Sequence, residues 1–254
     1  MDMDTIFCYT GTGNTLASAK ILAHELNMQV VLISDELQNS IVAGERCIIM
    51  FPVYAYGMPK TVRRFIKTSA FNVGYMAVVT TYGSSSGGAY AESIRLLKKR
   101  KQRVDLTVGI KSVENYVHMF GWTKEEQIAK IVEEQNNITM RIADMVKTNT
   151  KNKRMLFRPF SCFVSAVFRG AINLFERRYK VLPTCTGCGF CEKVCPARAI
   201  QMKDERPAFV PKQCDHCQAC MQLCPSRAIK FGKVKPDGRR YQHPDVESSD
   251  LTKR

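Results

Sequence analysis

The first part of the chain alternates short apolar runs with longer segments in which apolar residues recur at helical spacing. The short runs are rich in the β-branched and aromatic residues that strands favour, and they predict strands at Thr5–Tyr9, Val30–Ile33, Arg46–Phe51, Tyr75–Thr80 and Val104–Ile110. The helical spacing predicts helices at Leu16–Leu26, Lys60–Thr68, Tyr90–Arg103 and 123–146, the last opened by the capping-box pattern Thr123-Lys-Glu-Glu126. This βα order predicts an α/β domain over residues 1–148, a doubly wound five-stranded parallel sheet with its ligand at the carboxyl ends of the strands.

The loop after the first predicted strand reads Thr10-Gly11-Thr12-Gly13-Asn14-Thr15 and leads straight into a helix. Such an arrangement binds anions, because small residues let the backbone approach and the free N–H groups of the first helical turn point at a phosphate. We expect the side chains of Thr10, Thr12, Asn14 and Thr15 to add donors. The ordinary alternative is a turn before a helix.

Two nucleotide motifs do not fit this loop. A Walker loop would need a lysine, which the loop lacks, and a dinucleotide fingerprint would need a third glycine where Leu16 stands. The loop carries no positive charge. It therefore suits a flavin mononucleotide (FMN) held by neutral donors.

Two more loops follow strands at the same predicted edge of the sheet. The third strand runs into Pro52-Val53-Tyr54-Ala55-Tyr56-Gly57, and the fourth into Thr81-Tyr82-Gly83 and then Gly87-Gly88. Glycines after a parallel strand let backbone groups reach a ligand at the carboxyl edge. Each loop alone is a weak signal, but the three together predict one ligand site.

These loops resemble those of flavodoxins. The resemblance implies FMN, with Tyr54 or Tyr56 stacked on one face of the isoalloxazine and Tyr82 flanking the ring. It also implies that the backbone shaped by Gly83, Gly87 and Gly88 meets the polar edge of the flavin. For Tyr54 and Tyr56, a packed loop aromatic is the competing interpretation.

The last third of the chain contains a duplicated cysteine motif. Both copies have the frame C-x2-C-x2-C-x3-C-P and lie 29 residues apart, and eight of the 11 cysteines fall within them. Three thiolates at this spacing can bind three irons of one cubane, while the fourth, followed by proline, is turned toward the other cluster. This assigns Cys185, Cys188, Cys191 and Cys224 to cluster I, and Cys214, Cys217, Cys220 and Cys195 to cluster II.

Disulfides and structural zinc are the competing interpretations. Disulfides would suit a secreted chain, but the acidic start of this sequence does not resemble a signal peptide. Structural zinc normally uses two C-x2-C pairs set well apart. The segment from Thr184 to Phe231 resembles a bacterial two-cluster ferredoxin instead, which implies two [4Fe-4S] clusters and one-electron transfer. Cys8, Cys47 and Cys162 are expected to act as small buried hydrophobes.

Between the two predicted domains lies a basic amphipathic linker, residues 149–182. Across residues 151–180, eight basic residues and one acidic residue give a charge of +7, nearly half of the +15 of the whole chain. Three uses are open: packing the two domains together, docking an acidic redox partner, or lying on a membrane surface. Packing is the plainest. No stretch is apolar enough over ~20 residues to predict a spanning helix.

The remaining segments give weaker signals. Residues 111–123 are interpreted as a lid near the flavin, or as a loop with Trp122 as a hydrophobic plug beneath it. The ferredoxin domain is placed at 183–232, with His216 as a surface or outer-sphere residue. Residues 233–254 are polar and are expected to form a loosely held tail. His24, His118 and His243 are isolated in the sequence and predict no catalytic role.

Taken together, the chain resembles the flavodoxin–ferredoxin fusion proteins of anaerobic bacteria and archaea, the EFR-type ferredoxin family. The resemblance implies a cytoplasmic electron carrier with FMN and two [4Fe-4S] clusters and no catalytic residues of its own. The basic charge of the chain favours redox partner proteins with acidic docking surfaces over nucleic acid, for which no recognised module is present. A reductase of a small molecule and a redox-sensing docking module are the alternatives.

Overall fold

A computed structural model describes residues 4–152, 178–232 and 239–252 of the chain. Five parallel strands form one sheet in the order β2-β1-β3-β4-β5. They are β1 (Thr5–Cys8), β2 (Gln29–Leu32), β3 (Ile41–Pro52), β4 (Ala70–Tyr82) and β5 (Leu106–Lys111). This is the flavodoxin-like order, in which the chain reverses direction across the sheet between β1 and β3. The predicted α/β fold is confirmed.

Five helices accompany the sheet: α1 (Asn14–Leu26), α2 (Lys60–Thr68), α3 (Ala89–Lys99), α4 (Val117–Phe120) and α5 (Glu125–Lys147). The strands alternate their side chains between two apolar layers because successive residues of a strand point to opposite faces. Ile6 and Ile48 pack toward α1 and α5, whereas Phe7 and Ile49 pack toward α2 and α3. Burial on both faces explains why these strands read as continuous apolar runs.

The strand boundaries differ from the predicted ones. β3 and β4 begin earlier than their apolar cores, at Ile41 and Ala70, because the two strands pair in register from those residues onward. The predicted capping box is also wrong. α5 begins after Lys124 with no side-chain cap, so Thr123 does not cap it.

The second part of the chain, residues 178–232, is rich in cysteine, small and built from short elements. Two antiparallel pairs join β6 (Tyr179–Val181) to β9 (Ile229–Phe231) and β7 (Ile200–Lys203) to β8 (Arg206–Phe209). Each cysteine motif also contains one four-residue helix, Phe190–Lys193 or Ala219–Gln222. The apolar layer under α1 and α5 continues into this part, so the two parts share one core.

The C-terminal segment is not the loosely held tail that its polarity predicts. Its few apolar and aromatic residues are spaced so that they anchor it: Tyr241, Val246 and Leu251 are buried against the first domain. His243 is buried as well, and Lys20 forms an ion pair with Asp250 at 2.5 Å. The chain thus returns to the flavodoxin-like part after the cysteine motifs.

Several minor expectations can be compared with the fold. Cys8 and Cys47 are buried, as expected of small hydrophobes, while Cys162 lies outside the described residues, as does most of the basic linker. Trp122 packs between the apolar clusters around Val117 and Val113, which fits a plug. In the part of the chain that the structure describes, no helix is long and apolar enough to cross a membrane.

Candidate cofactor sites

A cavity of about 380 Å³ opens at the carboxyl edge of the sheet. This volume lies within the range of small-molecule and cofactor sites. All three loops predicted from the sequence contribute to its wall. The predicted residues that line it are Thr10, Gly11, Thr12, Asn14, Thr15, Pro52, Val53, Tyr54, Ala55, Tyr56, Thr81, Tyr82 and Gly83.

Four predicted site residues do not line the cavity but shape the loops that do. Gly57 exchanges two backbone hydrogen bonds with Tyr54, at 2.9 and 3.0 Å, and the Gly88 N–H donates to the Tyr56 carbonyl at 2.8 Å. A Cβ added at Gly87 would overlap that same carbonyl. Gly13 adopts a left-handed φ of 105° where α1 begins. These glycines therefore act through loop shape, which is what the absence of a side chain permits.

Hydroxyl groups converge at the phosphate loop. The Thr15 and Thr81 hydroxyls lie 2.7 Å apart, and the Gly13 N–H donates to Thr10 Oγ1 at 3.2 Å. Only one hydroxyl of the Thr15–Thr81 pair can donate to the other, so the second keeps a proton for a ligand. Neutral donors beside a helix N-terminus suit a phosphate, as the sequence predicts.

The Asn14 side chain has a different role from the predicted one. Its Nδ2 donates to the Val113 carbonyl at 2.8 Å, and its Oδ1 accepts from the Tyr241 hydroxyl at 2.6 Å. The amide is thus used to fix the loop to two distant segments. Its local sequence gives no sign of those partners.

The three tyrosines predicted to contact the flavin all line the cavity. Tyr56 is 41% exposed and adopts a left-handed φ of 59°. Tyr54 is half-buried, with its hydroxyl close to Gly11. The Tyr82 ring lies against Gly109, where any side chain would displace it.

Ten residues beyond the predicted set also line the cavity, among them Tyr116, Phe120, Arg178 and His216. Tyr116 and Phe120 belong to the segment interpreted as a lid. Arg178 brings a positive charge to a site that we expect to be neutral. For His216 the surface interpretation is wrong, since the residue is 1% exposed and packs against Tyr179 and Phe231. Its backbone N–H donates to Cys214 Sγ at 3.3 Å, which fits the outer-sphere interpretation. Nothing in the local sequence marks Arg178 or His216 as cavity residues.

The cysteines of the two motifs lie in two groups. Burial raises the pKa of Cys214 well above its usual range, and the neighbouring thiols of Cys217 and Cys195 raise it further. Burial likewise raises the pKa of the Cys191 thiol to about 11, with smaller contributions from Cys224 and Cys185. Cys195 of the first motif lines one small cavity together with Cys214, Cys217 and Cys220, so it lies with the second motif. Cys224 of the second motif lies near enough to Cys191 of the first to act on its pKa.

The two motifs are folded alike. The Ala199 N–H donates to Cys195 Sγ and the Ala228 N–H to Cys224 Sγ, both at 3.3 Å. Gly187 and Gly189 of the first motif have left-handed backbone, and so do His216 and Gln218 at the equivalent places of the second. In the second motif, non-glycine residues adopt conformations that cost free energy.

The donor chemistry fits iron–sulfur clusters. Two groups of soft thiols with amide N–H groups directed at sulfur are what such clusters use. Within residues 4–152, 178–232 and 239–252, no three His, Cys, Asp or Glu side chains converge closely enough to hold a single metal ion. A [4Fe-4S] cluster makes a different demand, since four cysteines together bind its irons.

The phosphate loop and the second cysteine motif are in contact. A Cβ added at Gly11 would lie 2.8 Å from the Cys217 carbonyl oxygen and 3.1 Å from Cys217 Cβ. The residue before Cys217, His216, lines the cavity itself. The flavin-type cavity and the second cysteine group thus share a wall.

Residues 184–228 match the family described as a 4Fe-4S dicluster domain. No curated protein matches the chain significantly. Among solved structures, a putative flavoprotein from Bacteroides uniformis shares 15% identity over 52% of this chain and 99% of its own, with a TM-score of 0.38. A short-chain flavodoxin associated with a non-canonical PDU bacterial microcompartment shares 18% identity over 59% of this chain and 100% of its own, with a TM-score of 0.35.

The fold assignment rests on the strand order and parallel register rather than on those low scores. Together with the matched cysteine domain, it defines a class: an iron–sulfur protein in which a flavodoxin-like domain precedes a ferredoxin-like one. The matched cysteine domain supports an iron–sulfur role in general terms.

Proposed function

We propose that this protein transfers electrons between an FMN and two [4Fe-4S] clusters, to or from redox partner proteins. The observation that carries the proposal is the shared wall between the cavity and the second cysteine motif. Gly11 and Cys217 are in van der Waals contact there, and His216 lines the cavity. A flavin in this cavity would lie beside cluster II without a domain movement.

The chain's own residues would hold the flavin in three ways. The backbone N–H groups at the start of α1, with the hydroxyls of Thr10, Thr12 and Thr15, would bind the phosphate. Tyr54 and Tyr82 would flank the ring, while Tyr56 would cover its outer edge. The Gly83 backbone would meet the polar edge of the flavin. A glycine is required at this position, because a side chain would overlap Glu114.

The cysteine groups would hold the clusters as predicted. Cys185, Cys188, Cys191 and Cys224 would bind cluster I, and Cys214, Cys217, Cys220 and Cys195 would bind cluster II. A flavin supplies one- or two-electron chemistry and a cubane supplies one-electron chemistry. The residues between the two sites keep this transfer away from solvent, since Cys217, His216 and Gly11 are all buried.

External transfer would use cluster I. Cys188 is exposed, whereas Cys217 and Cys220 of the other group are buried. The net charge of +15 favours acidic partner surfaces because opposite potentials steer the encounter. We further propose a cytoplasmic, anaerobic setting, in which low-potential clusters persist.

A reductase acting on a small molecule is the second candidate. The cavity mouth favours it, because Phe120 is 56% exposed and stands with Arg178 at the rim. An aromatic side chain and a guanidinium could receive a planar anionic substrate such as a nicotinamide nucleotide.

An anaerobic spectral titration of the reconstituted protein separates the two candidates. The protein is mixed with NADH or NADPH, and then with a low-potential reductant. We expect the flavin and clusters to stay oxidised with either nucleotide and to be reduced by the low-potential donor. Rapid bleaching of the flavin by a nucleotide, followed by cluster reduction, would replace the carrier with the reductase.

A further inference from the structure

Gln222 connects the second cysteine motif to two other parts of the molecule. It lies on the short helix Ala219–Gln222, between Cys220 and Cys224, and is 3% exposed. Its Nε2 donates to the Asn115 carbonyl at 2.9 Å, and its Oε1 accepts from the Tyr241 N–H at 3.0 Å. Both the nitrogen and the oxygen of this buried side-chain amide are therefore hydrogen-bonded.

Both connections continue to the phosphate loop. The Tyr241 hydroxyl donates to Asn14 Oδ1 at 2.6 Å, and Asn115 Nδ2 donates to Thr12 Oγ1 at 2.9 Å. Two side-chain routes thus lead from Gln222 to Asn14 and Thr12. Neither residue of the phosphate loop is near Gln222 in sequence.

The route through Tyr241 is buried, and the route through Asn115 is partly buried. Thr12 is 2% exposed and Tyr241 is 6% exposed. The His243 N–H donates to the Thr12 carbonyl at 2.9 Å, which fixes the C-terminal segment to the loop a second time. Buried hydrogen bonds of this kind resist displacement, because an amide or hydroxyl that loses its partner away from water is costly.

We propose that Gln222 is a positioning residue that couples the two cofactor sites, so that cluster binding by the second motif strengthens FMN binding. Cysteines bound to a cluster hold the helix Ala219–Gln222 in place. The helix then holds Gln222, which keeps Thr12 and Asn14 in the conformation that binds the phosphate. The inference rests on the proposed function, since it needs both cofactors.

Linkage makes the coupling reciprocal. If the loaded clusters raise the affinity for FMN by some factor, FMN must raise the affinity for the clusters by the same factor. Bound FMN should therefore slow the loss of iron to a chelator. This second measurement requires no electron-transfer activity.

The test compares FMN dissociation constants in cluster-loaded protein of matched iron and labile-sulfide content. Gln222→Met keeps the length of the side chain and removes both hydrogen bonds. We expect it to weaken FMN binding by about fivefold or more, the usual lower bound for coupled sites. Tyr241→Phe breaks one route only and should weaken it by a smaller factor; Tyr241 does not line the cavity, so its effect would be indirect.

The matched control is Arg198→Ala. It breaks an ion pair to Glu36 that also joins the two parts of the molecule but lies off both routes. We expect unchanged FMN affinity and unchanged protection from the chelator in this variant. An effect equal to that of Gln222→Met would overturn the proposal in favour of general domain docking.

The outcomes also distinguish this inference from the proposed function. Equal FMN affinity in wild-type protein and Gln222→Met, together with no effect of FMN on iron loss from the wild-type protein, would overturn the coupling and leave the function intact. A wild-type protein that binds no FMN, or that cannot be reconstituted with iron and sulfide, would overturn both.

Discussion

The Tyr9 hydroxyl donates a hydrogen bond to Asp215 Oδ2 at 2.9 Å, across a separation of 206 positions in the sequence. Tyr9 directly follows β1 and precedes the phosphate loop, and Asp215 follows the first cysteine of the second motif. The same carboxylate accepts the N–H groups of Lys60 at 2.6 Å and Thr61 at 3.2 Å, at the start of α2. A residue of the ferredoxin-like part therefore caps a helix of the flavodoxin-like part.

Asp215→Ala tests this cap. The change leaves a buried tyrosine hydroxyl and the first N–H groups of α2 without this acceptor, so we expect the free energy of unfolding to fall by about 1–3 kcal/mol. Urea denaturation of the cofactor-loaded protein measures it. Asp144→Ala, at an exposed position on α5, should change stability by less than about 0.5 kcal/mol. Similar losses in the two variants would contradict the capping role.

Gly11→Ala tests the contact between the phosphate loop and the second motif. The added methyl group would lie 2.8 Å from both the Cys217 carbonyl oxygen and the Tyr54 hydroxyl, so one of these must move. We expect FMN binding to weaken by about tenfold or more, since an enforced shift of this size costs on the order of 1–3 kcal/mol. Asp144→Ala, at an exposed position on α5 that does not line the cavity, should leave FMN binding unchanged, as measured by fluorescence titration.

Two cysteine substitutions should separate the clusters. Cys188→Ala removes an exposed proposed ligand of cluster I, and we expect it to lower the iron content by up to about half while sparing FMN affinity. Cys217→Ala removes a proposed ligand of cluster II that touches the phosphate loop, so both iron content and FMN affinity should fall. Iron analysis and FMN titration of the purified variants measure these effects. A loss of FMN affinity in Cys188→Ala alone would reverse the assignment of the nearer cluster.

His243 should make the stability of the protein depend on pH. Burial lowers the pKa of His243 below its ordinary 6.5, and Asp245 opposes this only in part. The His243 side chain thus binds a proton at a higher pH in the unfolded chain than in the folded one. The free energy of unfolding is therefore highest above pH 6.5 and falls as the pH drops from 6.5 toward the folded pKa. His243→Gln should flatten this part of the profile of urea midpoint against pH, whereas His24→Gln, at an exposed site, should not. Identical profiles for all three proteins would exclude His243 as the cause.

The sequence predicts well those features whose signal is local. The glycine and threonine spacing of residues 10–15 places the phosphate loop, and the repeated cysteine frame places both groups of thiols. Apolar runs locate all five strands of the sheet. Each of these depends on neighbouring residues alone.

The features that the sequence does not reveal all depend on contacts between distant segments. Asp215, Gln222 and Tyr241 are ordinary polar residues until burial joins each of them to partners far along the chain. The C-terminal segment shows why average polarity misleads. Val246 and Leu251 are few, yet they are spaced so that both reach the core.

The return of the chain to the flavodoxin-like part has a kinetic consequence. The ferredoxin-like part contacts the flavodoxin-like part through its own Asp215 at the start of α2, and it is followed by the anchored segment that contains Tyr241 and Leu251. A carrier domain joined by one flexible linker must move before it can deliver its electron. Its rate of electron transfer therefore falls as the viscosity of the solvent rises. Here the separation of the two redox sites is fixed when the chain folds. We therefore expect the rate of electron transfer between the two proposed sites to be independent of added glycerol. Only the encounter with an external partner should be limited by diffusion.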